Sequence, residues 1–151
     1  MTAPQTAETM SPELTRVAEL ARQNPTMAFR SLAHLIDEST LRRAFERLRK
    51  DAAIGVDGLT KEQYGQDLEA RLGDLRERLR TKRYRHQPIR RVHIPKAPGK
   101  TRPIGISTIE DKIVQGALRE ILEAVYEQDF LTCSYGFRPG RGAHDALREL
   151  N

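Results

Sequence analysis

At 151 residues the chain has room for one domain with a real core, or for part of a larger one. A hydrophobic share of 38% against 31% charged, with no apolar run of spanning length, argues against a membrane-spanning protein; the single cysteine, Cys133, excludes an internal disulfide and a thiolate zinc cluster, and four scattered histidines lack metal-ligand spacing. The net charge of +5 is uneven: residues 78–109 hold ten Lys/Arg and no Asp/Glu, so the remainder, with sixteen basic and twenty-one acidic residues, sums to −5. A positive stripe confined to one stretch points to a polyanionic partner, nucleic acid before acidic lipid, since no Lys-rich amphipathic helix accompanies it. The N-terminus has neither the cationic flank nor the apolar core of a signal peptide, and the expected location is cytoplasmic.

In chain order, residues 1–10 are small and polar and are expected to be disordered. Ser11-Pro12-Glu13 is a helix start, with a capping hydroxyl, proline in the first turn and an acid toward the positive end of the dipole. Leu14, Val17, Ala18 and Ala21 form the apolar face, and Asn24-Pro25 ends the helix. A second helix is predicted from about Thr26 with Phe29, Leu32, Leu35 and Ile36, and Met27 is assigned to the same core. A third follows a cap at Ser39 or Thr40 and turns Leu41, Ala44, Phe45 and Leu48 to one side.

The run 50–59, KDAAIGVDGL, breaks the helical pattern with two glycines. Thr60 and Gln63 make a capping box for a long helix facing its neighbours with Tyr64, Leu68, Leu72, Leu75 and Leu79. Arg76, Arg78, Arg80, Lys82 and Arg83 load its end, where cations also suit the helix dipole. Then comes RRVHIPKAPGKTRPIG: Val92 and Ile94 alternate with Arg91 and His93, Ala97-Pro98-Gly99-Lys100 is turn chemistry, and 101–106 is a second extended run. A two-stranded hairpin with Arg90, Arg91, Lys96, Lys100 and Arg102 on or beside it is suited to holding phosphate, Arg by its planar fork and Lys as a point charge; the alternative is an exposed hairpin whose charges only solubilise it. His93 is expected to be exposed. After the hairpin, Thr108 caps the most apolar helix of the chain, 108–127, with Asp111 three residues on and Leu118 and Leu122 among its core positions. A loop ending in SYGFRPGRG precedes a last helix near Ala143, which reaches Asn151 after barely two turns and is expected to be cut short. Cys133 is assigned a small core role, and Tyr135 and Phe137 either stack on a base or join the core.

RRVHIPKAPGKTRPIGISTIEDKIVQ followed by YEQDFLTCSYGFRPGRGAHDAL resembles the opening motifs of group II intron-type reverse transcriptases and maturases, and GVDGLTKEQYGQDLEARLGDLRERLRTKRYRHQPIRR resembles their N-terminal extension. The resemblance runs from about Ser31 to the end. It implies an α+β, mostly helical chain, the fingers part of a right-hand polymerase fold with a small antiparallel β-hairpin. Three parts are expected: 1–25 disordered or loosely attached, 26–87 a helical N-terminal extension, and 88–151 an incomplete fingers portion. The family's nucleotide-gripping cations fall on Arg90, Lys96 and Arg102, which are expected to converge on one open pocket. Contacts to nucleic acid are expected from Lys50, in a loop placed where the family has a lid over the template, from Arg91 and Lys100, and from Arg138 and Arg141 in the FRPGR loop. For the last two an internal link to the preceding helix is an equal alternative. Ala52 stands where the family's lid has a glycine, and Gly142 where a capping serine is common.

The implied partners are RNA as intron or template, a DNA primer and a deoxynucleoside triphosphate, with no membrane and with self-association through a palm-facing surface. Polymerisation by two metal ions needs aspartates from separate strands, and the family's lie beyond the last helix read here. No catalytic residue and no metal ligand is therefore assigned, magnesium is expected only in a complete enzyme, and the chain alone is expected to be inactive. The other readings are a stand-alone, non-catalytic RNA-binding module and a non-functional remnant.

Overall fold

The computed structural model describes residues 10–150. Six α-helices and one hairpin follow in the order α1 (Pro12–Gln23), α2 (Glu38–Arg47), α3 (Lys61–Gly65), α4 (Leu68–Arg80), β1 (Arg90–Ala97), β2 (Lys100–Ile106), α5 (Ile109–Tyr126) and α6 (Ala143–Glu149), which is an α+β arrangement dominated by helix. Two compact units divide the chain: residues 31–119 form one, and residues up to 30 together with those from 120 onward form the other, so the division falls inside α5. None of the described helices is long and apolar enough to cross a membrane. The part of the expected disordered segment that precedes Met10 lies outside the described residues.

The unit of residues 31–119 is built around one apolar cluster. Leu41, Ala44 and Phe45 of α2, Tyr64 of α3, Leu72 and Leu75 of α4 and Ile109, Ile113, Val114 and Ala117 of α5 are buried together. Local chemistry sets its helix ends. Thr60 Oγ1 accepts from the Gln63 amide while the Gln63 side chain accepts from the Thr60 amide, the reciprocal box read from the sequence. The helix it opens is not one long element, however. α3 stops at Gly65, and Asp67 takes φ −119°, ψ 39° before α4 begins; the poor helix formers Gly65 and Asp67 make the break. α4 closes with Lys82 at φ 58° and the Lys82 and Arg83 amides bonded back to Leu79 O and Arg78 O, so the last carbonyls are satisfied by a left-handed cap on a lysine.

Two expectations fail near the start of this unit. No α-helix forms over 26–36; only a single 3₁₀ turn, Ala33–Leu35, appears, and Met27 is 45% exposed rather than core. Of the apolar residues read as its face only Leu35 is buried, so the segment lacks the packing from which a short helix draws its stability. That cap is the second correction: α2 is opened by Asp37, whose Oδ1 accepts from the Thr40 amide at 2.7 Å and from Ser39 Oγ at 2.8 Å, not by Ser39 or Thr40.

In the other unit, α1 starts as expected, with Ser11 accepting from the Leu14 amide and Leu14, Val17 and Ala21 buried. α6 is capped by half a box: Asp145 Oδ2 accepts from the Gly142 amide at 2.8 Å, and glycine returns nothing. α5 is less uniformly apolar in its burial than its composition. Leu118 and Leu122 are 43% and 49% exposed. Cys133 is exposed, which corrects its assignment to a core.

Candidate nucleic-acid interface

The hairpin follows from its residues. Pro98 fixes one corner of its turn, and Gly99, at φ 70°, supplies the left-handed corner that a type II turn needs. From the base upward the antiparallel register pairs Arg90 with Ile106, Val92 with Ile104 and Ile94 with Arg102. Paired residues point to one side of the ladder, so Arg90, Val92, Ile94, Arg102, Ile104 and Ile106 share a face on which the four aliphatic side chains are half-buried and the two arginines exposed. Arg91, His93, Thr101 and Pro103 lie on the opposite, wholly exposed face. The alternation then breaks. Pro95 has no N–H to give the ladder, pairing resumes at Ala97 with Lys100, and Lys96 is left unpaired at the irregularity.

This places the expected nucleotide-binding cations unevenly. Lys96, Lys100 and Arg102 sit at the far end, next to the turn, whereas Arg90 is at the base, four residues or about 13 Å along the ladder from Arg102. Arg90 is also partly engaged: its Nε donates to Ile54 O at 2.9 Å. Among the described residues no hydrogen bond or ion pair holds the side chain of Arg91, Lys96, Lys100 or Arg102, and all four are exposed. Lys50 is likewise exposed in the loop 50–58.

The cations that open the basic stripe are arranged differently. Arg78 makes a forked pair with Glu110, Nη1 to Oε1 at 2.9 Å and Nη2 to Oε2 at 2.8 Å, and its Nε reaches Asp74 at 2.6 Å. Those bonds hold the Arg78 guanidinium well above its ordinary pKa. Arg80 pairs with Glu77 at 2.8 Å. Beside them, burial and then the Asp111 carboxylate push the Tyr84 phenol up, and Tyr84 donates to Asp111 Oδ1. Asp111 Oδ2 accepts from Thr108 Oγ1 at 2.7 Å and from the Gln87 amide at 3.2 Å. That buried carboxylate therefore ties the approach to β1 onto the first turn of α5, which fixes the base of the hairpin. Sequence reading saw in Asp111 only a partner for its cap; the strand-approach contacts join residues twenty-four and twenty-seven positions apart and leave no local signal.

In the FRPGR loop, described within its own unit, the arginines face inward. Arg138 donates through Nε and Nη2 to Glu127 Oε1 at 3.0 and 2.6 Å, and through Nη1 to Leu131 O and Ser134 O at 2.9 and 2.8 Å; its side chain is 7% exposed. Arg141 donates to Thr132 O and lies over the Tyr135 ring, 5.4 Å from its centroid. These are the contacts of an internal link. Tyr135 is accordingly a partner of Arg141, whereas Phe137 is fully exposed, with a left-handed φ of 60°.

Among the described residues no three His, Cys, Asp or Glu side chains gather as metal ligands.

With this geometry in view, no family model matches the chain. Individual proteins do. The chain is 37% identical over 139 residues, 89% of its length, to protein YkfC of Escherichia coli (strain K12), and 32% identical over 139 residues, 91% of its length, to the group II intron-encoded protein LtrA of Lactococcus lactis subsp. cremoris. Over 41 residues it is 54% identical to the nuclear intron maturase 2, mitochondrial, of Arabidopsis thaliana. The chain is of group II intron reverse transcriptase/maturase type. It spans 36% of the length of YkfC and 23% of that of LtrA.

Proposed function

We propose that the chain is the fingers portion of an RNA-directed DNA polymerase and maturase, holding template or intron RNA, and the incoming deoxynucleoside triphosphate, through the 90–106 hairpin. The observation that supports this best is the set of exposed cations, Arg91, Lys96, Lys100 and Arg102, whose side chains have no partner among the described residues, on a paired two-stranded ladder. Lys96 and Arg102, close together at the far end, suit a triphosphate, while Arg91 on the opposite face suits a phosphate backbone. A DNA primer and magnesium belong to this reading only in a polymerase that also supplies the metal-binding aspartates. The stand-alone RNA-binding module is the second reading, because the same exposed cations would serve it equally.

Nucleotide separates the two. In a polymerase containing this chain, Lys96→Ala or Arg102→Ala is expected to raise the nucleotide concentration needed for synthesis about ten- to a hundredfold, with template binding much less affected. An unchanged nucleotide dependence would refute the gripping role and leave the RNA-binding module. Self-association is part of the same proposal, with exposed Leu118 and Leu122 as the residues to test; a clean monomer in sedimentation at high concentration counts against it.

A further inference from the structure

The loop 50–58 has little structure of its own: its backbone bonds are Ala52 N–H to Arg49 O at 3.3 Å and Gly58 N–H to Gly55 O at 3.5 Å. Three successive residues are instead held from outside it. Lys112, in the first turns of α5, donates Nζ to Ala53 O. Arg90, at the base of β1, donates Nε to Ile54 O. Gly55 lies against the backbone that starts α5, where a Cβ would stand 2.6 Å from Thr108 Cα and 2.8 Å from Thr108 N, so only glycine allows the approach. Lys112 is an unusual choice for such a bond. The residue is partly buried, and that burial pushes its pKa down against the opposing pull of Asp57 and with the help of the neighbouring Arg90 charge. Its ammonium is bonded to a neutral carbonyl, and what that bond sets is the position of Ala53.

We propose that Lys112 is a positioning residue of the hairpin interface: seated by Gly55, it clamps the 50–58 loop so that Ile54 O holds Arg90 in one orientation at the hairpin base. This rests on the reading that the hairpin binds a phosphate chain. Lys112 itself touches no phosphate. It acts by presenting a fixed carbonyl to Arg90, so that the base of the interface is ordered before a ligand arrives.

The test uses the full chain, with Lys112→Met to remove the donor, Lys112→Arg to restore one, and Gly55→Ala to push the loop off Thr108 without changing charge. Nitrogen-15 relaxation at Gly55 and Val56 reads the clamp, amides of α5 report whether the fold is intact, and oligouridylate affinity across a salt series reads the interface. In Lys112→Met and in Gly55→Ala the order parameters are expected to fall from about 0.85 to below about 0.6. Both variants should weaken oligouridylate about three- to tenfold with the salt slope unchanged, and Lys112→Arg should recover both readouts. Order parameters that stay high in both variants overturn the clamp. A slope reduced by about 0.7 in Lys112→Met, with Gly55→Ala binding normally, overturns positioning, because Lys112 would then be a direct phosphate contact. If the unsubstituted chain does not bind oligouridylate, the interface reading and the positioning role fall together, whereas a loosened loop in the relaxation data still establishes the clamp.

Discussion

The hairpin and the FRPGR loop both present arginines in stretches that resemble the same family, and they treat those arginines in opposite ways. On the hairpin, strand pairs with strand from Arg90–Ile106 to Pro95–Thr101, the inward-facing backbone groups bond across the ladder while the outward-facing ones are open to water, and the side chains of Arg91 and Arg102 are left to solvent. In the loop no ladder exists. The carbonyls of Leu131, Thr132 and Ser134 need donors, and Arg138 and Arg141 supply them. The residue type is the same; the difference is whether the nearby carbonyls find donors in a ladder or in water, or find them in the arginines. A cation that no nearby carbonyl claims is available to a ligand, and one that supplies the loop's carbonyls becomes part of the fold.

This contrast can be broken most directly at the hairpin. Replacing Arg91, Lys96, Lys100 and Arg102 together by Gln should leave the unfolding free energy within about 0.5 kcal/mol, since these side chains contact nothing the fold needs. RNA affinity should fall by about two orders of magnitude at low salt, and the slope of log affinity against log salt should shrink by about 2 to 3, as expected for contacts to single-stranded phosphates. Binding that survives with its slope intact would place the interface elsewhere. Arg138→Ala should do the reverse. Removing a guanidinium that is 7% exposed strands Glu127 and two carbonyls, at about 3 kcal/mol in urea unfolding, with no change in the RNA salt slope. Arg138→Lys should recover less than half, because one ammonium cannot span a carboxylate and two carbonyls as the planar fork does. If Arg138→Ala instead weakens RNA binding while stability holds, the contrast is wrong.

How much was legible follows the same line. The hairpin could be read because its signals are local: alternation over Arg91–Val92–His93–Ile94 and a Pro-Gly corner. Ser11 and the Thr60–Gln63 box were legible for the same reason, each acting within three residues. The opening of α2 was not, because Asp37, Ser39 and Thr40 all have capping side chains and the path of the preceding chain chooses among them. Nor was the break at Gly65 to Asp67, where an apolar period continues across residues that do not stay helical. At the candidate interface the positions of the cations along the strands could be read, while their partners could not. Ile54 O for Arg90 and Ala53 O for Lys112 are backbone acceptors thirty-six and fifty-nine residues away, and a carbonyl has no letter in a sequence.

The smallest expected effect tests the same principle with the charge reversed. Asp37 is to the start of α2 what Arg138 is to its loop: a charged side chain supplying a partner to backbone that lacks one, here the Thr40 N–H. Burial pushes the Asp37 carboxyl up, but bonds from the Thr40 amide and from the Ser39 and Thr40 side chains, with the charge of Arg43, outweigh it and hold the pKa below 3.8. A carboxylate whose folded pKa is lowered binds its proton less readily in the folded chain than in the unfolded one. Its contribution is therefore complete above about pH 4 and is lost as pH falls through the folded value. Asp37→Ala is expected to cost about 1 kcal/mol at neutral pH, the usual worth of a helix cap, and the gap between variant and parent should narrow as pH falls below about 4, by the share that the charge contributes, since the protonated carboxyl still offers an oxygen to the Thr40 amide. Asp37→Asn keeps an acceptor for the Thr40 amide without the titration, so it should retain most of the stability at neutral pH and show a flatter acid limb. Urea midpoints for the three proteins from pH 2 to pH 7 decide it. A gap as wide at pH 2 as at pH 7 would mean that the charge of Asp37 contributes nothing to the start of α2.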